Sequence, residues 1–183
     1  MEFKNTIQSL QKLGTSVVKE GKGVLRKTKK SSGTLYNDFD YLVTNTGDTV
    51  TLEFEFGGAE DYWQFVDEGV KGVGGFKGSG RARGRGSDFR FGSGKFAGTW
   101  NEFKKSIKNW IRKKGLKGRD AKGRFIKVES FAFLIQRSIF QRGLPRTQFF
   151  SKPFTEQLNK QTENITKAFA DDLELALEQT LKN

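Results

Sequence analysis

Apolar residues recur at intervals of three and four positions in several stretches of the chain, a spacing that places them on one face of a helix. The first stretch begins at Phe3 and belongs to an N-terminal arm of residues 1–33. We expect this helix to fray near Gly21, because an interior glycine costs a helix about 1 kcal/mol relative to alanine. The same spacing predicts three more helices, which run from Trp100 to a C-cap at Gly115, from Val128 to Gly143, and over residues 151–183.

Alternating apolar and polar residues predict a β-hairpin after the N-terminal arm. Residues 35–43 and residues 50–56 each carry apolar side chains on one parity, and residues 45–48 between them have the composition of a turn. One face of this hairpin is expected on a core and the other is acidic. Residues 59–70 fit both a short helix and a strand. Because the elements do not alternate as βαβ, we predict a single α+β domain over residues 1–183, with a small antiparallel sheet packed by C-terminal helices.

Glycine is concentrated in one part of the chain. Residues 69–98 hold 11 of the 22 glycines, interleaved with serine and arginine. Such a composition buries too little apolar area to fix a conformation. We therefore predict a flexible basic loop over residues 70–98.

Composition excludes several classes of enzyme. The chain has no His and no Cys among its 183 residues, so it can form no His-based triad, thiolate nucleophile, His or Cys zinc site or disulfide. We predict no enzyme activity, no cofactor and no metal. No apolar run approaches the roughly 20 residues that cross a bilayer, so we expect a soluble protein made in the cytoplasm.

The net charge of +12 is unevenly distributed. Residues 35–68 hold nine acidic residues and no Lys or Arg, whereas residues 69–127 hold eighteen basic residues and three acidic ones. Adjacent blocks of opposite sign suit contacts between copies packed front to back. The residues that we expect at such contacts are Arg81, Arg83, Arg85, Arg90, Asp38, Asp40, Glu53 and Glu55.

Two other interpretations of these charged residues stay open. The pairs Asp38 with Asp40 and Glu53 with Glu55 could hold Mg²⁺, although a polar strand face is the simpler interpretation. The Gly- and Arg-rich loop could bind phosphates, with neighbouring phenylalanines stacking on bases. A loop that orders on a protein partner explains the same composition. The pair Asp171 and Asp172 is interpreted as an exposed helix face.

Two short stretches resemble signatures of one protein family. Residues 62–69, Tyr-Trp-Gln-Phe-Val-Asp-Glu-Gly, and residues 146–154, Arg-Thr-Gln-Phe-Phe-Ser-Lys-Pro-Phe, are similar to those of the tail-completion and head-to-tail joining (neck) proteins of tailed bacteriophages. The order of elements is similar too. Thr147 stands where many members carry proline. The motif residues with structural roles are Tyr62, Val66, Asp67, Gly69, Phe149, Phe150 and Pro153.

The resemblance implies a structural virion protein without catalytic activity. Its subunits would form a ring, a homo-oligomer in the neck that connects the portal or connector to the tail. Non-specific contact with DNA in the channel would be compatible with that position, and no membrane partner is implied. The alternative is a basic nucleic-acid-binding protein that uses the Gly- and Arg-rich loop and the basic helix that begins at Trp100.

Overall fold

The computed structural model describes residues 3–31, 33–74, 86–92 and 99–181. Helices predominate, accompanied by two small antiparallel sheets, so the α+β prediction is confirmed. In chain order the elements are α1 (Lys4–Lys27), α2 (Thr34–Asp38), β1 (Asp40–Asn45), β2 (Val50–Glu55), α3 (Trp63–Glu68), β3 (Val70–Lys71), α4 (Trp100–Lys113), α5 (Val128–Arg142), β4 (Gly143–Leu144) and α6 (Ser151–Leu181).

The chain divides into two compact units. Unit 1 comprises Met1–Asp67 and Thr147–Asn183, and unit 2 comprises Glu68–Arg146. The pattern of apolar and polar residues along the sequence does not indicate this division.

Unit 1 is built on the antiparallel helices α1 and α6. Thr6 near the start of α1 bonds to Asp172 near the end of α6, and Glu20 bonds to Gln157 near the start of α6. The β1–β2 hairpin packs on α1. The core of the unit combines aliphatic residues of α1 with aromatic residues from elsewhere in the unit; its fully or almost fully buried members include Leu13, Val17, Leu25, Phe39 and Phe149.

Helix α1 does not fray at Gly21, contrary to the sequence prediction, but continues to Lys27. Gly21 is buried, and a Cβ added there would lie 2.6 Å from Cε1 of Phe39 and 2.7 Å from the carbonyl oxygen of Phe149. Gly14 is likewise buried against the ring of Tyr41. The glycines allow close packing on the helix, and this packing outweighs their poor helix propensity.

The predicted hairpin is confirmed, with Asp40 opposite Glu55 and Asn45 opposite Val50. Tyr41, Val43, Leu52 and Phe54 are half-buried on one face of the hairpin, as their parity requires, and Phe54 alternates with the exposed Glu53 and Glu55. Leu42 on the opposite face is exposed as well. The strand begins later than the pattern indicated, because residues 34–38 form the short helix α2.

Unit 2 contains the helical pair α4 and α5, packed through a small core of Ile107, Ile111 and Ala132. Helix α4 begins with a capping box formed by Thr99 and Glu102. It ends as predicted at Gly115, which has φ +62° and donates its N–H to the carbonyl of Arg112. This is the geometry of a glycine C-cap.

The predicted loop of residues 70–98 is held at two places. Val70 and Lys71 form β3 and pair with Leu144 and Gly143 of β4. On its other side Lys71 forms a parallel bridge with Arg90, donating to the carbonyl of Phe89 at 2.8 Å and accepting from Phe91 at 2.9 Å. The composition of this segment does not predict these contacts. Residues 75–85 and 93–98 of the predicted loop lie outside the described residues.

Candidate interaction surfaces

The two stretches that carry the family resemblance meet in unit 1. Asp67 near the end of α3 is 2% exposed, and its Oδ1 accepts from the backbone N–H of Phe150 at 2.8 Å and of Ser151 at 3.3 Å. Its carbonyl oxygen accepts from Thr147 at 3.0 Å and from Gln148 at 2.9 Å. A carboxylate at a helix N-terminus satisfies unpaired N–H groups and opposes the positive end of the helix dipole. Asp67 therefore caps α6 from another helix.

Thr147, which departs from the family signature, takes part in the same contact. Its N–H and its Oγ1 both donate to the carbonyl of Val66, at 3.1 and 2.7 Å. A proline at this position would have neither donor. Threonine thus joins the two stretches by bonds that the residue common in the family could not make.

Aromatic residues fix the start of α6 to the core of unit 1. Phe149 is fully buried and meets the ring of Phe39 edge-on at 5.5 Å. Phe150 meets Phe54 at 5.1 Å and stacks on Phe154 at 5.5 Å. Pro153 is buried as the third residue of α6, within the first turn, where a missing N–H costs no helix bond.

The other motif residues have distinct surroundings. Tyr62 is exposed, and Val66 packs at the edge of the core of unit 1. Gly69 belongs to unit 2 and has φ +75°, in the left-handed region that glycine adopts readily. A Cβ there would lie 2.6 Å from both the backbone nitrogen of Arg146 and the carbonyl oxygen of Leu144. Both the angle and the space demand glycine.

Three of the four acidic candidates share the exposed face of the hairpin. Asp40 lies directly opposite Glu55, and Glu53 lies on the same face, opposite Leu42. All three carboxylates are exposed. Asp38 is exposed too but ends α2, so the prediction that it shares a strand face with Asp40 is wrong. We call Asp40, Glu53 and Glu55 the acidic face.

Of the arginine candidates, Arg90 is described and exposed beside its bridge to Lys71. Ser87, which is buried, anchors this segment by donating from Oγ to the carbonyl of Gly69 at 2.8 Å and accepting from the N–H of Phe89 at 3.0 Å. No sequence pattern indicates this role of Ser87. Arg81, Arg83 and Arg85 lie outside the described residues.

A second basic surface is formed by residues 113–127, which we call the basic turn. Asp120 organises it by accepting at Oδ1 from the N–H groups of Lys122 and Arg124, both at 2.9 Å, and at Oδ2 from Nε of Arg124 at 2.9 Å. The N–H of Arg124 is the main cause that lowers the pKa of Asp120. Gly123 has φ +78° and donates its N–H to the carbonyl of Asp120 at 2.9 Å, which closes the turn.

The C-terminal part of α6 exposes apolar side chains. Asp172 lies beside the start of α1, so the residues of α6 that follow it extend past that helix. Leu173, Leu177 and Leu181 recur there every four residues and are all exposed. Exposed apolar groups in a row are typical of surfaces that become covered on assembly.

Asp172 itself is the residue that sequence reasoning missed most clearly. It is 1% exposed, in contrast to the expectation of an exposed pair, while Asp171 is exposed as expected. Its carboxylate accepts from the N–H of Asn5 at 3.0 Å and from the N–H and the hydroxyl of Thr6 at 2.8 Å each. Burial alone would raise the pKa of Asp172, but these donors outweigh it and the pKa is lowered.

The described residues contain no cluster of three or more acidic side chains able to hold a metal ion. An open depression of about 460 Å³ on unit 1 is lined mainly by polar residues of α1, such as Gln8, Gln11 and Thr15. Within the described part of the chain, no helix is both long enough and apolar enough to cross a membrane.

Comparisons of the chain with protein-family models, with curated proteins and with solved structures find no match. The resemblance to neck proteins therefore rests on the two stretches that meet at Asp67 and on their order along the chain.

Proposed function

We propose that the protein is a structural subunit of the virion of a tailed bacteriophage, which forms a ring in the neck and joins the head to the tail. The observation that carries this proposal is the contact at Asp67. Residues of the two family signatures bond directly to each other although the bonded pairs lie 81 and 83 positions apart in sequence. Such a contact gives a physical reason why both signatures would occur together in one family.

The two units expose surfaces of opposite charge, which suit contacts between neighbouring copies in a ring. Unit 1 presents the acidic face, and unit 2 presents Arg90 and the exposed cations of α4. A head-to-tail contact between copies closes into a ring when the rotation between neighbours divides a full turn. We infer that the acidic face of one copy meets Arg90 and the α4 cations Lys105 and Arg112 in the next.

Mass measurement by light scattering tests this assembly. The acidic-face variant is Asp40→Asn/Glu53→Gln/Glu55→Gln. The control removes three exposed carboxylates from α6 and is Glu156→Gln/Glu163→Gln/Asp171→Asn. The wild type and the control should form one defined multiple of the 20.7 kDa chain. The acidic-face variant should fall to the monomer. Equal masses for the variant and the control would exclude the acidic face as the contact, and a wild type that stays monomeric at every concentration would contradict ring formation in solution.

A further inference from the structure

The basic turn presents cations and an aromatic ring on the same side. Arg119 and Phe125 face each other across an antiparallel bridge, and paired residues of such a bridge point to one side. The guanidinium carbon of Arg119 lies 4.0 Å from the ring centroid of Phe125, and Nζ of Lys117 lies 5.6 Å from it. The ring is nevertheless 60% exposed.

The opposite side of the turn packs against α5 in the same unit. Ile126 donates its N–H to the carbonyl of Gly118 at 3.1 Å, and a Cβ added at Gly118 would lie 2.6 Å from the ring of Phe131 in α5. Arg119 also donates from Nη1 to the carbonyl of Gly123 at 2.7 Å. The cations are therefore held on an ordered backbone, which reduces the entropy that binding would cost.

Positive charge is nearly uncompensated in the basic turn. Its single acid, Asp120, already accepts three bonds from the turn itself. The remaining exposed cations include Lys113, Lys114, Lys117, Arg119 and Lys122. No ion pair with a carboxylate of another element is present at these five residues in the described structure.

We propose that the basic turn binds the phosphate backbone of nucleic acid, with Phe125 placed to contact an unpaired base. Phosphates take up several cations arranged along a ribbon without reading sequence. An exposed ring flanked by cations matches the platforms on which single-stranded bases stack. An acidic protein surface would satisfy the cations but would provide no stacking partner for the exposed part of Phe125. This inference does not depend on the proposed place in the neck.

Fluorescence anisotropy with labelled DNA of about 30 nucleotides, single-stranded and duplex, tests the proposal over about 50 to 200 mM salt. Each phosphate contact contributes about 0.9 to the logarithmic salt slope for duplex and about 0.7 for single strands. The variant Lys117→Gln/Arg119→Gln/Lys122→Gln should therefore lose about 2 to 3 units of slope and bind at least about tenfold more weakly. The matched control, Lys12→Gln/Lys19→Gln/Lys160→Gln, removes three exposed lysines from unit 1 and should lose much less.

Phe125→Leu separates the role of the ring from that of the charges. It should weaken single-stranded binding by about tenfold, the effect of losing one stacked base, and leave the salt slope and duplex affinity unchanged. Equal effects on both DNA forms would overturn the assignment to an unpaired base.

The proposal is overturned by no binding at the lowest salt, by a flat salt response, or by basic-turn and control variants that bind alike. A basic-turn variant that loses its oligomeric mass while keeping its DNA affinity would show a protein contact instead, and would also overturn it. Ring assembly is measured without DNA, so failure of either proposal is recognised separately.

Discussion

Replacing Asp172 by alanine should destabilise the protein strongly although the residue lies in the last third of a surface helix. Helix α1 has no side-chain cap of its own, since its N-cap residue is Phe3 and its first turn carries no acid. The cap comes instead from Asp172, across 166 residues of sequence. The substitution would leave two backbone N–H groups and one hydroxyl without their acceptor.

The magnitude follows from the three bonds. Loss of an N-terminal cap costs about 0.5 to 2 kcal/mol, and donors left unpaired in a buried place cost about 1 to 3 kcal/mol. Because the three donors share one carboxylate, the costs do not add fully. We expect a loss of about 3 kcal/mol in the free energy of unfolding, equivalent to about 6 to 12 °C in the melting temperature for a chain of this size.

Urea unfolding followed by circular dichroism measures this loss, and Asp171→Ala is the matched control. Asp171 is adjacent, carries the same charge and is exposed, so its removal should change stability by no more than about 0.5 kcal/mol. If the two variants unfold alike, the interhelical cap does not stabilise the protein.

The same carboxylate predicts a dependence on pH. The pKa of Asp172 in the folded protein lies below its ordinary value of 3.8. Its stabilising effect is therefore complete above that ordinary value and is lost as the pH falls through the lowered pKa of the folded state. The stability difference between wild type and Asp172→Asn should shrink in acid and stay constant at neutral pH. A difference that grows on acidification would contradict the sign.

Three further substitutions test other contacts by the same unfolding measurement. Asp67→Ala should cost about 2 to 3 kcal/mol by removing the cap of α6, while Glu68→Ala, its exposed neighbour, should cost at most about 0.5 kcal/mol, and similar losses would contradict the cap. Gly21→Ala should destabilise the protein by about 1 to 3 kcal/mol, because the added Cβ would clash with the ring of Phe39. Gly23→Ala, which has open space around it, should stabilise the protein by up to about 1 kcal/mol. Stabilisation by both variants would show that close packing at Gly21 is not required. Thr99→Ala should cost about 1 kcal/mol through loss of the N-cap of α4, and an unchanged stability would show that this cap contributes nothing.

Local patterns predicted most of the elements. The apolar spacing located α4, α5 and α6, and alternation located the hairpin with its acidic face, because these signals lie within about fifteen consecutive residues. The cap position at Gly115 followed from the left-handed conformation that glycine adopts readily.

Errors arose where distant residues decide the local structure. Helix propensity alone argued for fraying at Gly21, but the packing of Phe39 and Phe149 on that position keeps α1 continuous. Composition alone argued for mobility around Ser87, yet one buried hydroxyl and the bridge from Lys71 to Arg90 fix the segment. Neither contact leaves a periodic signal in the sequence.

The candidate interaction surfaces were likewise predictable from the sequence only in part. The acidic face could be identified from strand parity, and the importance of Asp67 and Gly69 from the family resemblance. The sequence could not show that Asp67 caps α6 or that Asp172 caps α1, because a capping carboxylate that comes from another helix has no fixed spacing to the helix it caps.

We propose that this chain is a ring-forming subunit of a phage neck. Mass spectrometry of virus particles, purified from cells that carry the genome encoding the chain, tests this proposal. Peptides of this protein are expected in every preparation, at a fixed ratio to the portal protein and in far fewer copies than the capsid protein. Its absence from particles that contain both of those proteins would show that it is not a neck subunit.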